Sequence, residues 1–417
     1  MSEHLEPSGH RATPGSRSDK PGDGGGRRRA QRGARHAVAK VVVATFVVLA
    51  MVTGLSVVFF YRHLNDNLTV LDISDLVKDR PEKKGGNLPK EPLNILVMGS
   101  DDRDGAGNNI DGLTGGGARS DTTLLFHLSA DRQNAYGVSI PRDTLVDRPD
   151  CIGEDGETLP GASNVMWNEA FGVGGPACTI TQFEEVTGVF IDHFVVVDFN
   201  GFQDMVDAID GVEVCIPEDI DDPAHGINIP AGTREISGKE ALNYVRARYT
   251  LGDGSDIGRV KRQQAFIAAM ANKVISNGVL ARFDRLVPFL NAATKSLVVD
   301  KDMGSVFKIA RVGLGFKNIG LDNIKFITVP FQYSTAQPGR VEFLPEAEAL
   351  WQRVIDDEPL SRRLTDGVIT AGDAPDGSES PSESPSGTPG SDPSESATAP
   401  PVDEATAAER EAAGLCA

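Results

Sequence analysis

Residues 41–61 run for twenty-one positions without a charged side chain. A helix rises ~1.5 Å per residue, so a stretch of that length crosses the ~30 Å hydrocarbon layer of a bilayer. A lone segment in lipid must satisfy its own backbone, which leaves helix as its only conformation. The run therefore divides the chain into a short leading part and a long following part. Arg27, Arg28, Arg29, Arg32, Arg35 and Lys40 stand before it and few cations follow closely. That asymmetry predicts a single-pass protein of the cell membrane with a cytoplasmic N-terminus, everything beyond Arg62 lying outside. A secretory signal would carry a shorter apolar core and a small-residue cleavage site, and residues 57–61 offer none.

The flanks follow from composition. Residues 1–40 are rich in Gly, Pro, Ser and Arg and are predicted to be disordered, and residues 62–91, closing with Gly85, Gly86 and Pro89 just before Pro92, to form a linker. The net charge of −19 is unevenly spread: from Leu364 onward there are eleven acidic residues and one Arg. The body is only mildly acidic, which argues against a nucleic-acid partner, since that would need a basic face or arm on a folded domain. Residues 364–417 are predicted to be a disordered acidic tail that the folded domain does not need, because residues 372–412 lack the apolar side chains to pack.

Between these flanks, apolar runs of strand length alternate with helical spacings. Strands are expected at 93–98, 123–129, 135–140, 193–199, 212–216 and 324–329. Helices are expected at 164–171, 179–187, 201–209, from Ser237 through Val245, at 259–275, twice between 279 and 316, and at 346–355. Strands mixed with helices throughout predict one α/β domain over residues 92–363, a three-layer α/β/α-like sandwich with a mixed central sheet. Four cysteines suit an oxidising compartment. Cys151 and Cys178 flank a Gly-rich segment that a disulfide would bridge, against the alternative that all four are free thiols; Cys215, inside an apolar run, reads as a buried free thiol.

Three strand ends carry charged residues: Asp101 after the first, Arg119 and Asp121 before the second, Arg142 and Asp143 after the third. Asp101 and Asp121 are the candidates for a divalent cation, since Mg²⁺ (or Mn²⁺) takes hard oxygen ligands and needs only one or two carboxylates beside substrate phosphates. Residues 244–264 hold the richest set of anion-binding parts: Arg246 and Arg248 at the end of one helix, then Arg259, Arg262 and Gln263 on the first turns of another, with Asp256 as its N-cap. Guanidinium groups and a helix N-terminus converging on one place suit a phosphate or pyrophosphate. The competing reading of such a run is a solvated surface in which nearby Asp residues pair with the Arg.

Gly99-Ser100-Asp101, Arg119-Ser120-Asp121-Thr122, Ile140-Pro141-Arg142-Asp143 and Val245-Arg246-Ala247-Arg248 with Arg259 and Gln263 resemble, in this order, the motifs of the LytR-CpsA-Psr family. The match covers residues 93–271, and the insertions at 104–117 and 151–178 resemble actinobacterial members. The resemblance implies a phosphotransferase that ligates a glycopolymer, arabinogalactan or similar, from a polyprenyl pyrophosphate carrier onto peptidoglycan. It implies Asp101 and Asp121 as metal ligands. Arg119, Arg142, Arg246, Arg248, Arg259 and Gln263 would hold the pyrophosphate, and Asp101 or Asp143 would accept the proton. A prenyl slot is expected near Phe199, Phe202, Phe266 and Met270, which read equally as core. The alternative function is a non-catalytic membrane-anchored binder of lipid-linked glycopolymer; a transcriptional regulator is disfavoured by a domain outside the cell.

Overall fold

The computed structural model describes residues 26–84, 91–100, 120–223, 226–247, 255–276, 279, 282–365, 368–375 and 404–416. The chain forms two units, residues 1–60 and 61–417. Among the described residues the first consists of helix α1 (Gly26–Asn67) up to Phe60, and the residues of α1 from Tyr61 on belong to the second. Within Ala37–Asn67 the most apolar window has a mean hydropathy of 2.6 and none of it is buried. An apolar surface all round is what lipid solvates, and among the described residues this is one helix long and apolar enough to cross a membrane. Helix already begins at Gly26, so the expected disorder of residues 1–40 does not extend to the basic cluster; Ala, Arg, Lys and Gln are good helix formers and continue the helix nucleated by the apolar run.

The predicted linker at 62–91 is largely docked on the domain. Leu64, Leu68 and Val77 are buried, so apolar residues that looked sparse in sequence each find the core. Asn65 Oδ1 accepts from the backbone N–H of Val306 at 3.0 Å, and the Asn67 amide donates to Asn291 Oδ1 at 3.1 Å. Farther on, Arg80 pairs with Glu184 and Lys83 with Asp192, each at 2.5 Å.

The central sheet has eight strands: β1 (Thr69–Leu71), β2 (Leu93–Ser100), β3 (Ser120–Leu128), β4 (Ala135–Ile140), β5 (His193–Val197), β6 (Leu297–Asp300), β7 (Ile324–Thr328) and β8 (Ile369–Thr370). Their order is β1-β6-β5-β2-β3-β4-β7-β8. The β1–β6, β5–β2 and β4–β7 pairs are parallel and the others antiparallel, which makes the sheet mixed. Gly137 of β4 meets the ring of Phe326 so closely that a Cβ there would lie 2.6 Å from it, which explains a glycine in mid-strand.

Alternation along the strands supplies both faces. Leu96, Met98, Leu125, Val138 and Ile140 pack with α2 (Glu169–Thr187) through Ile180 and Phe183, and with a helix over Glu346–Ile355 through Leu350 and Trp351. On the other face Phe126 meets Phe316 edge-on at 5.5 Å, and Gln264 donates to Ser139 Oγ at 2.9 Å. The three-layer α/β/α arrangement is thereby present. A second core joins α3 (Phe199–Ala208), the hairpin of Val212–Ile216 with Gly232–Ile236, α4 (Gly238–Arg246) and α5 (Asp256–Ser276). The helix expected at 164–171 is corrected in its first part: Ala162–Met166 pairs as a strand with Leu145–Arg148, and only from Glu169 is the segment helical, as the start of α2. It kinks at Gly174 and Gly175, the latter at φ +62°, and resumes at Pro176.

Cys151 and Cys178 form a disulfide with Cα atoms 5.2 Å apart. The free thiol expected at Cys215 is overturned, because Cys215 is bonded to Cys416 across 201 residues. The acidic tail is corrected with it. β8 adds a strand to the sheet beyond Arg363, Glu404–Ala412 is helical, and Ala413 and Leu415 are buried. Bulk composition concealed this: a few apolar residues at 368–371 and 413–416 suffice when a disulfide and a neighbouring surface hold them.

Candidate active site

β2 ends and β3 begins side by side, with a register shift between Gly99 and Ser100 that opens the ladder at this edge. Asp121 is the second residue of β3, and Pro141 ends β4 so that Arg142 emerges beside it. Arg142 Nη1 bonds Asp121 Oδ1 directly. Its Nε lies 3.3 Å from Asp256 Oδ1 and 3.9 Å from Asp143 Oδ2. Asp256 is the first residue of α5, and Arg259 one turn on reaches Asp256 Oδ1 at 2.6 Å. Strand ends and a helix start thus contribute alternating charges to one cluster.

Arg246, at the end of α4, stacks over Phe199 with its guanidinium carbon 4.6 Å from the ring centroid. Gln263 fastens the pieces together: it accepts from Thr122 Oγ1 at 3.2 Å and donates to Val245 O at 3.2 Å. Burial raises the Asp121 carboxyl, but the guanidinium groups of Arg142, Arg259 and Arg246 outweigh it and hold the group below the usual carboxylate range. Burial likewise works against the charged form of Arg142, and Asp121, Asp256 and Asp143 reverse it, raising the group above its ordinary value. The cluster therefore keeps a partly buried carboxylate charged among cations.

The structure brings together Asp121, Arg142, Arg246, Arg259 and Gln263 of the predicted site. Asp101, Arg119 and Arg248 lie outside the described residues. Asp143 is adjacent, but its Oδ1 accepts from Arg340 at 2.7 Å, and its backbone carbonyl accepts from Val341, so it ties the hairpin of Phe331–Tyr333 with Val341–Phe343 to the end of β4.

Two readings change. Asp256 is inside α5 and clamps two arginines, while Ser255 Oγ takes the capping role by accepting from Gly258 N at 3.1 Å. Arg262 belongs elsewhere: it is fully buried, donates to Ala413 O at 2.7 Å and bonds Ala247 O. Gln263 is turned about 100° from it around the helix, so the two cannot serve one ligand equally. Arg340 had no local signal, since a single Arg in a turn 197 residues from Asp143 carries no pattern. Of the predicted prenyl slot, Phe266 is fully buried and packs at 5.3 Å on Phe202, while Phe199, Phe202 and Met270 are half-buried at the margin of the second core.

Among the described residues no group of three or more His, Cys, Asp or Glu gathers as a metal cage. Asp121 offers a hard, charged oxygen beside a set of phosphate-binding donors. That donor set fits a cation of the Mg²⁺ type, which takes one or two carboxylates and completes its shell with phosphate oxygens and water.

Residues 60–352 match the LytR_cpsA_psr family. The cell wall biosynthesis protein LcpA of Corynebacterium glutamicum is 31% identical over 60% of this chain and 48% of its own length. The polyisoprenyl-teichoic acid–peptidoglycan teichoic acid transferase TagV of Bacillus subtilis is 28% identical over 60% of this chain and 62% of its own. The chain thus spans less than two thirds of either relative. A solved structure of TagT bound to LIIa-WTA superposes with a TM-score of 0.51 at 21% identity, covering 69% of this chain and 98% of that one, and shares the fold. With its model matched across most of the chain, the chain belongs to the LytR_cpsA_psr family.

Proposed function

We propose that this protein is a phosphotransferase that moves a glycopolymer from a polyprenyl pyrophosphate carrier onto peptidoglycan, at the outer face of the cytoplasmic membrane. The observation that carries the reading is Asp121, held charged and partly buried among Arg142, Arg246 and Arg259. It is joined by the transferase name of TagV and the LIIa-WTA bound to TagT. A fixed array of this kind matches a substrate with several phosphate charges better than any neutral ligand.

A sugar hydroxyl of peptidoglycan forms a new P–O bond to the sugar-bearing phosphorus, the pyrophosphate P–O bond breaks, and polyprenyl phosphate leaves with the bond electrons. Arg142, Arg246 and Arg259, with Arg119 and Arg248, bind the phosphate oxygens and neutralise the leaving group; one such Arg contributes ~10³ in comparable phosphoryl transfers. Gln263 keeps α5 in register with β3 and α4. Asp121 with Asp101 would hold Mg²⁺ or Mn²⁺, which supplies charge neutralisation at the same oxygens. The hydroxyl proton passes to Asp143 or Asp101.

The test uses the purified full-length protein in detergent, a polyprenyl-pyrophosphate-linked saccharide and soluble peptidoglycan fragments. Release of polyprenyl phosphate with a stoichiometric sugar–phosphate–peptidoglycan product is expected, and release should fall when EDTA is added. Saturable binding of the lipid with no release under any divalent cation would replace the enzyme by a non-catalytic binder.

A further inference from the structure

We propose that the helix over Val306–Ile319, called α7 here with α6 at Phe283–Ser296, is an interfacial helix that rests on anionic phospholipid headgroups where the chain leaves the membrane. The proposal needs residues 41–61 to be a membrane span and is independent of the catalytic reading. Tyr61 closes that apolar run and its ring lies 5.0 Å from that of Phe307, the second residue of α7. Phe307 is thereby placed at the bilayer boundary by chain continuity alone. The contact is held by more than the rings. His63 bonds Asn291 on α6 at 3.2 Å, Asn65 accepts from Val306 N, and Leu64 is buried.

The surface of α7 has the composition that boundary requires. Phe307 is 69% exposed and Leu314 is 54% exposed, an expensive display for a helix facing only water. Phe307, Ala310 and Leu314 recur at helical spacing on one face, so two turns of apolar surface extend about 10 Å from the Tyr61 contact. Lys308, Arg311 and Lys317 are exposed on the same helix, which has no acidic residue. Apolar side chains bordered by cations are the pattern of a helix lying in the headgroup layer, and cations favour anionic lipid. Exposed large apolar side chains of the second unit, among the described residues, are Tyr61, Val70, Val173, Phe307, Leu314 and Tyr333. Tyr61 and Phe307 are in contact at this corner, Leu314 lies two turns farther along α7, and Val70 is close to the start of that helix, since a Cβ on Gly304 would lie 3.1 Å from it. Patches scattered at random would not cluster at the one point where the chain enters lipid.

The experiment uses full-length protein reconstituted into vesicles of phosphatidylglycerol and dibrominated phosphatidylcholine, whose bromines quench nearby indoles. Native Trp167 and Trp351 are buried, which keeps the background low. Phe307→Trp and Leu314→Trp should each be quenched at least twofold more than Val173→Trp and Tyr333→Trp, which sit at exposed apolar positions elsewhere on the domain. Reversing Lys308, Arg311 and Lys317 to Glu should bring the Phe307→Trp signal down to the control level. All these positions are exposed, and if one variant fails to fold the other carries the measurement. Equal quenching at all four positions overturns the proposal. So does a blue-shifted but unquenched indole at 307 or 314, which would mean that a second copy or a protein partner covers the face.

Discussion

Two regions of this molecule use arginine from the same helix for opposite ends. At the strand-end site, Arg259 is buried beside carboxylates, reaching Asp256 at 2.6 Å and acting on Asp121. One turn on, at the C-terminal clasp, Arg262 is buried against carbonyls, holding Ala247 and Ala413 together. The first region stores opposed charges near a surface where a charged ligand can enter the balance. The second spends its donors on backbone groups and binds the last residues of the chain to the residue that follows Arg246. Burial and residue type are the same in both, so neither marks function; the partner does. The clasp is completed by the disulfide from Cys215 to Cys416, which makes it a structural neighbour of the site.

The largest effect should separate the two disulfides. Chain-entropy reasoning gives the 201-residue link about 5 kcal/mol and the 27-residue link about 3.5 kcal/mol. Urea unfolding of Cys416→Ser and of Cys151→Ser should therefore rank the first as the more destabilised; the reverse order would show that the clasp adds little to the fold. Truncation at Arg363 should act like Cys416→Ser or worse, since it also removes β8.

Next comes Asp121→Asn, which should lower polyprenyl phosphate release by ~10²–10³. The melting temperature should fall only modestly, by the charge stabilisation Asp121 itself contributes, because Arg142 keeps Asp256 and Asp143 as partners. Loss of stability in proportion to activity would make Asp121 a structural ion-pair member. Arg262→Met is the counterpart. Removing buried charged hydrogen bonds to two carbonyls should cost about 2–3 kcal/mol in unfolding free energy, with turnover of the folded enzyme within about tenfold of the parent. Should turnover vanish while stability holds, Arg262 would belong to the site and the distinction between the two regions would collapse.

The smallest effect is in acid. The folded state holds Asp121 below its unfolded value of 3.8, so its stabilising contribution is fully present above that pH and is lost as pH falls through the lower folded value. Between pH 8 and 5 this group should contribute no slope. Below pH 4, acid titration of stability should be steeper for the parent than for Asp121→Asn. Coincident acid limbs would show that the arginines do not act on this carboxylate.

How much of this was legible beforehand differs by element. The strands at β2, β3 and β4 were readable because a buried strand needs an unbroken apolar run, and the turn residues after it are Gly, Asp and Pro for local reasons. That Asp121, Arg142, Arg259 and Gln263 lie near one another was readable because strand ends and a helix start are where such side chains can converge. The helix expected at 164–171 begins late because residues 164–166, of ambiguous spacing, were decided by pairing with Leu145–Arg148. Arg262 was assigned with Arg259 because spacing on a helix shows which side chains are near each other and not what packs over them.

The sequence by itself determined the long apolar helix, the mixed α/β domain and the charged residues that stand at the strand ends and helix starts, since each depends on composition or periodicity within a short window. Only the tertiary structure decided that Asp256 clamps two arginines, that Arg340 reaches Asp143, that Cys215 is bonded to Cys416, and that residues after Tyr61 are seated on α6 and α7. These depend on pairs separated by up to 241 positions. A partner at that distance leaves no trace in local pattern, because what selects it is the surface the rest of the fold presents.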